Sequence, residues 1–142
     1  MGTRSFIGEQ RPDGTVRAVY CHWDGYPSYV GKMLRDAYTE SAKVSALLDL
    51  GDLSSLGPEP GERHDFNDRS HPEWCTAYGR DRGETGVDPT SVQGVEDFIR
   101  VGGQRGCDWV YLWQGDRWRC WSIVGDVSEF DLHSRDSPIW NA

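Results

Sequence analysis

Asp108-Trp109-Val110-Tyr111-Leu112-Trp113-Gln114-Gly115-Asp116-Arg117-Trp118-Arg119-Cys120-Trp121-Ser122-Ile123 holds the clearest hairpin in the chain. Two runs rich in aromatic and aliphatic residues flank Gly115-Asp116, and glycine at the first central position suits a two-residue hairpin turn. With that turn, Gln114 pairs with Arg117 and the register follows. Trp113 stands opposite Trp118, Tyr111 opposite Cys120, and Trp109 opposite Ser122. Period-two alternation then puts Trp109, Tyr111, Trp113 and Trp118 on one face and Val110, Leu112, Trp121 and Ile123 on the other. Both faces are apolar, which a half-exposed hairpin does not require. Either the hairpin is central and covered on both sides, or its aromatic face is left for a partner. On the second reading Trp109, Tyr111, Trp113 and Trp118 are partner-binding residues, for a second subunit in a homodimer or for a host protein. Within the chain, only the tail through Phe130 and Trp140, or a long loop over 58–73, is expected to cover them.

The rest of the chain supplies a second hairpin and three helices. Residues 4–9 and 15–21 read as strands joined by Arg11-Pro12-Asp13-Gly14, where Pro presets φ and Gly supplies a positive φ. Residues 28–39 read as a helix with Ser28 as N-cap, because Val30, Met33, Leu34, Ala37 and Tyr38 fall on one helical stripe. A second helix follows Ser41, with Val44, Leu47 and Leu48 inward and Gly51 as its stop. Asp52 to Gly57 reads as a capped turn. Trp74 to Tyr78 reads as a short strand, and Gly79 to Glu84 as a charged loop. A third helix is expected over 91–101, with Val92, Val95, Phe98 and Ile99 on one face and Gly102-Gly103 ending it.

Composition narrows the function. The chain has 142 residues, enough for one domain spanning 1–142. Its net charge of −8 argues against a general nucleic-acid binder and against docking on an anionic membrane. The excess lies in the second half: residues 1–56 carry six basic and seven acidic side chains, residues 57–142 nine and sixteen. Interspersed arginines favour a solvated surface over mimicry of nucleic acid. No apolar run is long enough to span a bilayer, and no secretory leader is visible, so a cytoplasmic setting is expected. There the four cysteines, Cys21, Cys75, Cys107 and Cys120, are expected to be free and buried.

Four local patterns bear on chemistry. Cys21, His22, His64, His71 and Cys75 are the metal-ligating types, but adjacent Cys21 and His22 in a strand point to opposite faces, so no metal is expected. Cys21 or Cys75 beside a histidine lacks any nucleophile signature, so no catalytic residue is assigned. Arg80 and Arg82, flanked by Gly79 and Gly83, lie on one side of an extended segment and can clamp an anion together with Tyr78. The opposing reading is a solvated turn in which Asp81 and Glu84 offset both arginines. Asp24 and Tyr26 can line a ligand site at the start of the first helix, or serve only the strand-to-helix turn. The candidate ligand-binding residues are therefore Asp24, Tyr26, Tyr78, Arg80 and Arg82, with no cofactor.

Met1-Gly2-Thr3-Arg4-Ser5, Asp24-Gly25-Tyr26-Pro27 within Cys21–Ser28, Gly51–Gly57 and Tyr78-Gly79-Arg80-Asp81-Arg82-Gly83-Glu84 together resemble a family of small bacteriophage and prophage proteins. The resemblance covers most of the chain. It implies a phage accessory gene expressed in the cytoplasm of a bacterial host.

The expected fold is α+β: an antiparallel sheet from the N- and C-terminal hairpins with about three helices packed on one face. The expected function is non-catalytic binding of a host protein or small ligand, which alters host physiology or defence. The alternative is a small enzyme or ligand-sequestering protein for a phosphorylated metabolite or nucleotide, with Arg80 and Arg82 as clamps.

Overall fold

A computed structural model describes residues 2–134. They form an α+β fold around one eight-stranded sheet. The N-terminal hairpin is β1 (Ser5–Gln10) and β2 (Val16–Cys21), and the aromatic hairpin is β6 (Trp109–Trp113) and β7 (Trp118–Ser122). The aromatic register is Trp113 to Trp118, Tyr111 to Cys120 and Trp109 to Ser122. The short strands are β3 (Leu53–Ser55), β4 (Thr76–Ala77), β5 (Thr90–Val92) and β8 (Ser128–Phe130). Their order is β4-β3-β2-β1-β6-β7-β8, with β5 pairing β2. The helices are α1 (Lys32–Ala37), α2 (Ser41–Leu48), α3 (Tyr78–Arg82) and α4 (Val95–Gln104).

The two hairpins join through β1 and β6, which run parallel, so the sheet is mixed. The connection explains the direction. Strand β5 is antiparallel to β2, and α4 carries the chain back to the same end of the sheet before β6 begins. A helical crossover of this kind links parallel strands.

Helices cover both faces, where one had been expected. On one face α4 packs Phe98 against Phe6, Val16, Ala18, Val110, Leu112 and Trp121. On the other, α1 and α2 pack Leu34, Tyr38, Val44, Leu47 and Leu48 against Ile7, Val19, Tyr111, Trp113, Trp118 and Cys120. Both faces of β6 are apolar, so each needs its own layer. The aromatic face is thus a core face. Tyr111, Trp113 and Trp118 are buried and Trp109 is half-buried against Phe130. The partner-binding assignment of the hairpin aromatics is corrected accordingly. The α1–α2 layer, Phe130 and Leu132 supply the cover, and Trp140 lies outside the described residues.

Three local expectations also change. The first helix begins at Pro27, through a π-helical turn over Pro27–Gly31 that leads into α1, and no side chain caps it. Pro lacks the N–H that a cap would satisfy and brings the helical φ with it. The Asp52–Gly57 segment is a strand, because Leu53 pairs with Cys21 on β2 and with Ala77 on β4. Helix α4 runs through Gly102-Gly103 to Gln104. A Cβ at Gly102 would sit 2.8 Å from Val110, and one at Gly8 would sit 2.8 Å from Phe98. These glycines let α4 lie close on the sheet, and that packing outweighs their poor helix propensity.

Just after β8, Leu132 is fully buried next to Gly31, and His133 follows it. The Trp118 N–H donates to His133 Nε2 at 2.9 Å, so that nitrogen is unprotonated in this arrangement. Burial, followed by the nearby Arg117, lowers the His133 pKa below its usual value; Asp131 and Asp116 act in the opposite sense and Arg35 with Arg117. A depressed histidine pKa means that the undocked segment binds protons more readily. Docking is therefore expected to be full above the ordinary histidine pKa of about 6.5 and to weaken as pH falls below it. Hydrogen-exchange protection of the Trp118 amide should drop over that window in the native chain. It should hold constant in His133→Gln, whose side-chain oxygen accepts at every pH.

Candidate functional site

The turn at Asp24 and the segment from Tyr78 to Arg82 are the candidates from sequence, and local geometry decides both. Asp24 takes φ of 58°, the one positive value outside glycine among the described residues. Such a conformation is uncommon and must be held by its surroundings. Here the Gly25 N–H donates to Thr3 O at 2.8 Å, Tyr111 Oη donates to Gly25 O at 2.7 Å, and Tyr26 Oη donates to Asp24 Oδ1 at 3.3 Å. Asp24 and Tyr26 thus serve the turn that launches the first helix. The same turn displays Trp23 and Tyr29, 44% and 38% exposed.

Tyr78, Arg80 and Arg82 lie on α3, not on an extended loop, and Gly83 ends it with φ of 73°. At about 100° per residue, Arg80 and Arg82 leave the helix on different sides. Arg80 is committed to the protein through four hydrogen bonds. It donates to Pro60 O at 2.7 Å, to Cys75 O at 2.8 Å and to Asp81 through two nitrogens. Arg82 lies over the rings of Phe66 and Tyr78, 4.3 and 5.0 Å from their centres, and pairs with Glu84. The anion clamp is corrected: one arginine anchors a loop and the other stacks on it. Among the described residues no hydrogen bond or ion pair links Asp24 or Tyr26 to Tyr78, Arg80 or Arg82.

The residue that organises this region is Asp81, which by its place in the sequence is only a counter-charge to its neighbouring arginines. Its carboxylate accepts the N–H groups of Ala77 at 2.8 Å and His64 at 3.1 Å, besides Arg80. Burial alone would raise its pKa, but the bonds from Arg80, Ala77 and His64 outweigh burial and hold it below the usual carboxylate range. His64 Nδ1 lies 2.8 Å from Glu62 O, which makes it the protonated nitrogen, and Nε2 then accepts from Thr76 Oγ1 at 3.3 Å. Hydroxyl, imidazole and carboxylate thus occur in sequence. Yet the imidazole N–H is directed at Glu62 O rather than at Asp81, 3.5 Å away, and Thr76 is buried. The assembly closes the loop over 58–75 and presents no nucleophile.

The cysteines are equally withdrawn. All four are free and buried. Burial pushes the Cys21 and Cys107 thiols up to about 12 and raises Cys75 and Cys120 as well. Thiolate is the reactive form, so these thiols are not activated nucleophiles. No group of three or more His, Cys, Asp or Glu side chains among the described residues is arranged to hold a metal ion. No helix among the described residues is long and apolar enough to cross a membrane.

The site that the sequence did not indicate is a cleft of about 800 Å³ at the turn end of both hairpins. Its walls are Glu9, Gln10, Arg11, Pro12 and Gly14 from the β1–β2 hairpin, Ser41, Ala42 and Ser45 from α2, and Trp113, Gln114 and Gly115 from the β6–β7 hairpin. Clefts of roughly 300–1,000 Å³ suit small ligands. The Trp113 indole N–H donates to Ser41 Oγ at 3.0 Å. Arg17 bonds the lining residues Glu9 and Ser45, and Asp49 as well. Gln114 donates to Gln10 at 2.9 Å and ties the two hairpins together. Arg11 is the cationic side chain of the lining. Its Nη2 donates to Ser91 Oγ at 2.6 Å, and its Nε is covered without a partner.

Among known proteins, no family model, no curated protein and no solved structure matches the chain.

Proposed function

We propose that the chain is a non-catalytic binding protein that holds a small polar ligand in the cleft between α2 and the two hairpin turns. One observation carries this reading: a cleft of ligand size walled by three separate elements, with polar side chains converging from each. The buried, protonated thiols and the spent Arg80–Asp81–His64 assembly support binding over catalysis. The resemblance of the Asp24–Pro27 and Tyr78–Glu84 segments to small bacteriophage and prophage proteins supports an accessory role in the cytoplasm of a bacterial host. Sequestering a host metabolite is one means by which such a protein alters host physiology or defence.

A second reading has its own observation. Trp23 and Tyr29 are exposed on a turn held in an uncommon conformation. Exposed aromatic anchors of this kind are frequent energetic centres of protein interfaces. The two readings separate in one experiment. The purified chain is incubated with a small-molecule extract of bacterial cells and examined by native mass spectrometry. A ligand retained by the native chain and by a Trp23→Ala, Tyr29→Ala variant, but lost in Ala42→Trp, supports the cleft. Ala42 is exposed at the cleft wall, so the larger ring fills space without disturbing the core. Failure to retain any small molecule, with capture of a host protein that depends on Trp23 and Tyr29, would replace it with the second reading.

A further inference from the structure

The polarity of the cleft lining narrows the ligand class, on the premise that the cleft is a binding site. Ser41 Oγ accepts the Trp113 indole N–H at 3.0 Å, and Ser45 Oγ accepts from Arg17 Nη2 at 3.1 Å. A hydroxyl whose oxygen already accepts has its proton left to donate. Neither serine spends that proton on another group of the protein among the hydrogen bonds of the described residues. Arg11 adds a guanidinium whose one hydrogen bond to the described residues runs from Nη2 to Ser91. A guanidinium has five N–H donors and no acceptor.

Two side-chain acceptors of the lining are, by contrast, engaged. Glu9 Oε1 receives both Nε and Nη2 of Arg17. Gln10 Oε1 receives Gln114 Nε2. The cleft therefore offers donors from α2 on one wall and from the β1–β2 turn on the other. We infer that it takes a small molecule bearing an oxyanion, a carboxylate or a phosphate, held by Ser41, Ser45 and Arg11.

The overall charge of −8 sharpens the point. A net negative field slows the approach of an anion, so affinity must come from short-range donors. Charge-assisted hydrogen bonds from arginine are about twice as strong as neutral ones, which makes Arg11 the residue whose loss should tell most.

Nitrogen-15 NMR titration of the full chain at fixed pH and ionic strength tests this. The Trp113 indole N–H signal reports on the cleft, because its acceptor is Ser41. Four probes are added separately: adenosine monophosphate, inorganic phosphate, acetate and adenosine. The expected result is saturable movement of the Trp113 indole and the Ser41 and Ser45 amides with an anionic probe. Adenosine should leave them in place. Phosphate or acetate acting alone identifies which oxyanion is read. Arg11→Gln should weaken the anion at least tenfold with its spectrum otherwise native, and Ser45→Ala should weaken it less. Trp23→Ala should bind as the native chain does. Adenosine saturating the same signals as well as the monophosphate, with Arg11→Gln unaffected, would overturn the oxyanion class and leave the cleft as a site. Cleft signals that none of the four probes moves would overturn the oxyanion class, and retention of a cellular ligand that Ala42→Trp abolishes would show that the cleft itself still binds.

Discussion

Asp81→Ala should lower the unfolding free energy by about 3–5 kcal/mol, the range for removing one partner of a buried ion pair. The side chain of Asp81 is fully buried, and its carboxylate serves Arg80, the Ala77 N–H and the His64 N–H at once. Truncation leaves the Arg80 guanidinium without its counter-charge and two N–H groups without acceptors. Urea denaturation checks the size of the loss. Asp81→Asn keeps one acceptor oxygen and is expected to fall between the alanine variant and the native chain. The pH dependence has a definite sign. The folded-state pKa of Asp81 is depressed, so its contribution is complete above the ordinary aspartate value near 3.9 and is lost as pH falls through the lower folded value. A loss below about 1 kcal/mol for Asp81→Ala would mean that the 58–75 loop is closed by other contacts.

Trp118→Ala is expected to cost a further-reaching loss of about 3–5 kcal/mol, as large aromatic truncations in cores do. The ring is 1% exposed, lies 5.4 Å from Trp113 and donates its indole N–H to Tyr38 O at 2.9 Å. Its removal opens a cavity beneath α1 and leaves the Tyr38 carbonyl buried without that donor. Trp118→Phe separates the two effects: the ring volume is largely kept, and the lost hydrogen bond accounts for about 1–3 kcal/mol. The check is the urea midpoint at constant slope, since an altered slope signals a changed denatured state. Had the aromatic face been a free surface, the alanine variant would unfold at the native midpoint.

The cleft shows why some of the candidate site was illegible. Arg11, Ser41, Ser45 and Trp113 are spread over about a hundred positions and share no spacing that marks a site. Arg11 and Trp113 belong to hairpin patterns, which mark structure rather than a ligand site. Asp81 is hidden for a related reason: beside Arg80, its partners are two backbone N–H groups, which no side-chain pattern advertises. The placement of Arg80 and Arg82 turns on one local choice of backbone. Extended backbone would have put both on one side, but the segment closes into a helical turn because Ala77 N–H and Gly83 at either end are satisfied in that form.

By itself the sequence determined what depends on short-range geometry. Turn chemistry at Gly115-Asp116 with period-two alternation set the register from Trp109 to Ser122. Helical periodicity marked Val30, Leu34 and Tyr38, and then Val44, Leu47 and Leu48, as inward, and all six are buried. The tertiary structure alone decided the parallel joint of β1 with β6, the two-sided helical cover, the loop closure at Asp81 and the cleft. Each of these depends on contacts between residues far apart in the chain. Such contacts arise only after elements with several usable faces have chosen partners, and that choice is made by total burial and hydrogen-bond satisfaction rather than by any local pattern.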